Sequence, residues 1–228
     1  MIKALKQHFL IQWIFLTRTE MEKVLLLSSL FSIALSFARV VYTGQLTFLS
    51  LIWNLFLAFV PYAISRHLIN HPQWIEHRVK FFFTSFIWLL FIPNSFYIIT
   101  DLFHLFERPE IPLWFDLVLI FSFAWNGLLL GVLSIREMEK IIETKWKWSE
   151  ALFVYPIMCL NAFGIYLGRY LRYNSWDVVS SPFQLASDIV YLFLHPIRNR
   201  FDWSMILCFS VFMTMIYLTL KKLSKTIK

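Results

Sequence analysis

Four polar residues, Asn94, Tyr97, Asp101 and His104, recur at spacings of three, four and three in a stretch otherwise rich in Phe, Ile and Leu. At about 100° per residue a helix brings all four within about 80° of one another, as one polar stripe. Asp101 and His104 are the residue types that carry protons in acid–base chemistry, and they are the candidate catalytic pair. Farther along, Arg169 and Arg172 lie in the segment from Gly164 to Asp177. A guanidinium offers several N–H donors in a fixed fork, which suits a phosphate or a carboxylate. Asn54, Asn94, Tyr97, Asp116, Arg169, Arg172, Asn174 and Asp177 are the candidate ligand-binding residues around that pair. Asp101 and His104 also resemble half a metal site that Asp116 or Asp177 could complete with oxygen. His195 is the one other histidine expected on that side, so no metal and no cofactor is assigned. A plainer alternative stays open, in which Asp101, Asp116 and Arg169 form ion pairs that only set helix register.

Composition dictates the elements that must hold these residues. Of 228 residues, 59% are hydrophobic and 15% charged, against about 45–50% and about 25% in soluble domains. A soluble interior of this size cannot hide so much apolar surface, so lipid must be the solvent for much of the chain. Disordered chains, secreted disulfide scaffolds and ordinary soluble enzymes are thereby excluded. Six apolar stretches are long enough to span a bilayer: 24–41, 48–65, 81–100, 113–135, 151–171 and 203–220. The predicted fold is all-α, a polytopic transmembrane helix bundle in a single membrane domain covering 1–228. Residues 2–16 read as an additional interfacial amphipathic helix. The run 189–194, stopped by His195 and Pro196, is too short to span and reads as an interfacial or re-entrant piece.

Basic residues set the expected orientation. Lys3, Lys6, Arg18 and Lys23, then Arg66, Arg78 and Lys80, then Arg136, Lys140, Lys145 and Lys147, then Lys221, Lys222, Lys225 and Lys228 fall on one side. Arg108, Arg172, Arg198 and Arg200 fall on the other, which places both termini in the cytoplasm of a cell-membrane protein and the polar stripe near the outer leaflet. The inner half of the spans is expected to hold mostly Leu, Ile and Phe. The net charge of +7 then answers to membrane lipid, including anionic headgroups, and not to nucleic acid. Cys159 and Cys208, each inside an apolar run, are expected to be buried free thiols. Pro93 should kink the third span and free a carbonyl beside the stripe. Gly127 with Gly131, and Gly164 with Gly168, permit close helix approach; in antiparallel neighbours the first pair is expected deep toward the cytoplasm and the second near the outer face.

The residues from Trp88 through Pro93, Asn94, Thr100, Asp101 and Leu102 to His104, followed by Leu113 to Leu117 and by Gly164 to Asp177, resemble a family of predicted bacterial membrane proteins, domain of unknown function 1361. The resemblance covers about residues 45 to 220 and implies a multi-pass membrane protein, with no reaction attached. The sequence carries no nucleotide loop, nucleophile elbow, zincin helix or haem attachment motif. Two function classes are therefore expected: a polar outer-leaflet pocket that binds or processes an anionic lipid or isoprenoid-linked ligand, or a non-enzymatic scaffold or accessory subunit. A small-solute transporter is a third, with Asn126 and Asn161 as its strong mid-membrane polar groups.

Overall fold

Thr19 opens the first helix by a reciprocal cap: its hydroxyl accepts from the Glu22 N–H, and the Glu22 carboxylate accepts from the Thr19 N–H. Gly44, at φ 68°, closes that helix in the left-handed region that only glycine enters freely. The computed structural model describes residues 19–226, so the amphipathic helix expected over 2–16 lies outside the described residues. Nine helices and no β-strand occur among them: α1 (Glu20–Thr43), α2 (Ser50–Asn70), α3 (Pro72–Glu76), α4 (Arg78–Tyr97) continued by a 3₁₀ segment (Ile98–His104), α5 (Leu113–Trp146), α6 (Glu150–Arg169), α7 (Asp177–Ser180), α8 (Pro182–Leu194) and α9 (Arg200–Thr226). Six of these elements are long and apolar enough to cross a membrane: α1, α2, α4 with its 3₁₀ extension, α5, α6 and α9. The all-α bundle of six candidate spans matches the sequence reading.

α5 is the axis of the bundle. It packs against α1, α2, α4, the 3₁₀ segment and α6, while α9 leans on α6. Its 34 residues are about 51 Å of helix at 1.5 Å per residue, three turns beyond the predicted end at 135. Those turns stay helical because Met138, Ile141 and Ile142 remain in the core and Glu137 and Glu139 find partners. At this end of the bundle the basic residues expected just beyond the spans find acidic partners on other helices. Tyr62 donates to Glu22, Arg66 pairs with both Glu22 and Glu137, and Lys221 pairs with Glu139 and Glu150, while Tyr217 also donates to Glu139. Long side chains at helix ends reach one another here, and such partners on other helices cannot be read from one span.

Both glycine pairs clasp the same two turns of α4. A Cβ on Gly127 would stand 2.7 Å from the Ser95 carbonyl, and one on Gly131 2.8 Å from the Phe96 ring. A Cβ on Gly164 would stand 2.6 Å from the Pro93 ring, and Gly168 lies under Tyr97. The two pairs therefore sit at one level of α4, not at opposite depths, because α4 crosses α5 14 residues after its start and α6 in its last two turns. Cys159 and Cys208 also differ from expectation: both are free and exposed on the protein surface, and the Cys159 thiol lies 3.1 Å from the Ser210 hydroxyl on α9. α8 meets the expectation of a short non-spanning helix; only Leu192 is buried, against Trp203 and the α6–α9 pair.

Candidate functional site

The polar stripe begins on α4 and ends on the 3₁₀ segment. In a 3₁₀ turn residues three apart eclipse, so Asp101 and His104 stand one above the other. Arg169, the last residue of α6, lies across them. Its Nη2 donates to Asp101 Oδ1 at 2.6 Å, its Nε to Thr100 Oγ1 at 2.8 Å, and its Nη1 meets His104 Nε2 at 3.1 Å. An arginine only donates, so the His104 Nε2 lone pair is the acceptor and the ring proton belongs on Nδ1. The guanidinium carbon sits 4.4 Å from the Tyr97 ring centroid, a cation–π contact. The other Asp101 oxygen accepts from Asn54 Nδ2 at 3.1 Å. The pairing that the cost of two charges near a hydrocarbon boundary predicts is thus present, with both carboxylate oxygens engaged.

The turn before Pro93 forms the second part of the site. Carbonyls in the turn before it accept side-chain donors: Ser175 Oγ bonds the Leu90 carbonyl at 3.1 Å, and Asn94 Nδ2 bonds the Phe91 carbonyl at 3.0 Å. Asn94 Nδ2 also donates to Ser175 Oγ at 3.0 Å, tying the α6–α7 connection onto α4. In that connection Arg172 has φ 60°, a left-handed conformation that costs a residue with a Cβ about 1–2 kcal/mol. Asp177 holds the next turn, accepting from the Asn174 N–H at 2.6 Å and from Ser180 Oγ at 2.7 Å. The bond from the Asn174 N–H, with Ser180 assisting, keeps the Asp177 carboxyl below the usual range. Tyr173 donates to Asp188 on α8 at 2.7 Å, and that bond pushes its hydroxyl up to about 12.

Between α2 and α6, which both rest on α4 and scarcely touch each other, lies a cavity of about 640 Å³. Its chemistry changes along its length. Toward the 3₁₀ end it is lined by Asn54, Asn94, Tyr97, His104, Arg169, Arg172, Tyr173 and Asn174. About one to three turns farther along α2, α4 and α6 the lining is Leu57, Leu89, Leu90, Leu160 and Phe163. Trp53 and Leu160 also line it and are 53% and 46% exposed, so apolar side chains of its wall reach the surface of the bundle. Trp176, which suits an interfacial anchor by sequence, lines the same cavity.

Asp116 does not join this group. Its carboxylate receives Arg39 Nε at 2.7 Å and Arg108 Nη1 at 3.2 Å, on the opposite flank under the Phe48 ring. Asp177 is likewise spent on its own turn. Neither is placed to complete a metal site with Asp101 and His104, and no group of three His, Cys, Asp or Glu side chains gathers among the described residues. Sequence reasoning missed Thr100, Ser175, Tyr173 and the Arg39–Asp116–Arg108 cluster. Arg39 gave a usable signal: a lone arginine inside a predicted span demands a carboxylate. Ser175 gave none, because serine in a connection is ordinary.

A family model described as Protein of unknown function (DUF1361) matches residues 53–219, most of the chain. The chain belongs to this family. The DUF1361 region contains Asn54, the whole α4–3₁₀ stripe, Arg169, Arg172 and Asp116, and starts after α1 with its Arg39. Compared with the curated proteins and with the solved structures, the chain has no match in either. The findings make it an integral, multi-pass membrane protein of the DUF1361 family, and the rest of its function must be argued from the site.

Proposed function

We propose that this protein binds an amphiphile with an anionic head, the head at Arg169 and Arg172 and the chain in the apolar cleft between α2 and α6. One observation carries the reading: a single cavity is lined by Arg169 and Arg172 toward one end and by Leu57, Leu89, Leu160 and Phe163 toward the other, with the exposed side chains of Trp53 and Leu160 in its wall. A cavity of about 640 Å³ falls within the usual range of about 300–1,000 Å³ for small-molecule sites. The lysine and arginine excess at the other end supports a cytoplasmic location for that end, which puts the cleft in the outer leaflet of the cell membrane.

Asp101 and His104 divide the chemistry on this reading. Asp101 is a positioning residue, since Arg169 and Asn54 occupy both its oxygens and it does not face the cavity. His104 lines the cavity and is the group that could move a proton at the head. A fastening role, in which the cluster only holds α2, α4 and α6 together as part of a scaffold, is favoured by the completeness of the Asp101–Arg169 network. Lipid extraction from the purified protein separates the two. Bound anionic amphiphile that is retained by wild type, lost in Arg169→Gln and kept in His104→Gln supports the ligand site; equal lipid content in wild type and Arg169→Gln refutes it.

A further inference from the structure

Resting on the reading of the cleft as an amphiphile site, we infer that its ligand is a phospholipid whose head carries one negative charge and hydroxyl donors. Charge is the first part of the argument. Arg169 is already compensated by Asp101 at 2.6 Å, so it can direct N–H bonds toward a ligand but leaves no unpaired charge. Arg172 lines the same cavity, is exposed, and has no ion-pair partner among the described residues. The rim therefore presents one uncompensated cation, and a second negative charge on the head would meet no counter-charge. A phosphodiester satisfies this count, and a pyrophosphate does not.

Acceptor atoms are the second part. Asn54 must turn Nδ2 to Asp101, which leaves its Oδ1 without a hydrogen bond among the described residues. Asn94 spends Nδ2 on the Phe91 carbonyl and on Ser175, leaving its Oδ1 in the same condition. Both residues line the cavity. Oxygens of this kind bond ligand O–H groups and offer nothing to an apolar or trimethylated head. Held close to an anion, they also penalise any head that brings further oxygens without protons.

The test uses the full chain in detergent, with native mass spectrometry reading the affinity of each probe. Phosphatidylglycerol, with one charge and two hydroxyls, should bind tightest. Phosphatidylmethanol, with the same charge and no hydroxyl, should bind about 2–10-fold more weakly. Phosphatidylcholine and an isoprenyl pyrophosphate should bind at least about tenfold more weakly, and free glycerol 3-phosphate at least about a hundredfold, because it leaves the apolar cleft empty. Arg172→Gln should lower phosphatidylglycerol affinity about tenfold while Arg172→Lys keeps most of it; Arg172→Gly, which relaxes the left-handed backbone, should lose binding like the Gln variant. A pyrophosphate bound as tightly as phosphatidylglycerol overturns the single charge, and equal binding of phosphatidylmethanol overturns the hydroxyl requirement. Equal binding of free glycerol 3-phosphate overturns the lipid. Failure of every amphiphile to bind removes the proposed function together with this inference.

Discussion

Replacing Asp101 by Asn removes the charge opposite Arg169 while keeping size and one acceptor oxygen. The two groups are 2.6 Å apart, with side chains 10% and 14% exposed. Charge centres about 4 Å apart attract by about 4 kcal/mol at an effective dielectric of about 20. Partial desolvation of both ions opposes that gain. Asn54, Thr100, His104 and the Tyr97 ring also remain to support whichever partner is left. The expected net coupling is about 1.5–3 kcal/mol, the range for hydrogen bonds to charged groups. A double-mutant cycle of Asp101→Asn and Arg169→Gln, read by reversible denaturation in mixed micelles, isolates it. The double variant should cost less than the sum of the singles by that amount. A coupling below about 0.5 kcal/mol would mean that the pair is a contact without consequence, and the positioning of Arg169 by Asp101 would fall.

Asp116→Asn should cost about 3–5 kcal/mol, because it strands Arg39, 1% exposed, beside Arg108; adding Arg39→Met should recover part of the loss in the same denaturation assay. Gly164→Ala forces a Cβ to 2.6 Å from the Pro93 ring and should destabilise by about 1–3 kcal/mol, whereas Gly44→Ala meets no atom and should cost about 1–2 kcal/mol from its φ of 68° alone. The folded-state value of Asp177 is depressed, so its hold on the Asn174 turn is present above the unfolded carboxylate value and is lost as pH falls through the depressed one; hydrogen exchange at the Asn174 amide, corrected for intrinsic rate, should show protection vanishing in that acid window and not near neutrality. In a chain with Cys159 and Cys208 replaced by Ser, Asn174→Cys should react with an impermeant thiol reagent added outside intact cells and Glu143→Cys should not, and the reverse pattern would invert the orientation.

Much of this protein is legible in its sequence because lipid imposes a length and a polarity on each spanning segment independently. Composition gave the all-α bundle, and all six spans were located, α5 alone running three turns past its predicted end, since about 20 apolar residues are a local signal that needs no partner. The stripe from Asn94 to His104 was equally local, as was the need of Asp101 and Arg169 for opposite charges near the boundary. Tertiary structure alone decided which charges met. Asp116 is the same residue type as Asp101 at a similar expected depth, yet it faces Arg39 and Arg108, because α5 turns that side to α1 while α2, α4 and α6 enclose the other. The level shared by the two glycine pairs, the exposed thiols and the ionic network around Glu137 and Glu139 were invisible for the same reason. The cleft itself is a void between helices that rest on a third and not on each other, and a sequence encodes each wall without encoding the distance between them. That distance is set by packing, here by Gly164 and Gly168 letting α6 settle against Pro93 and Tyr97.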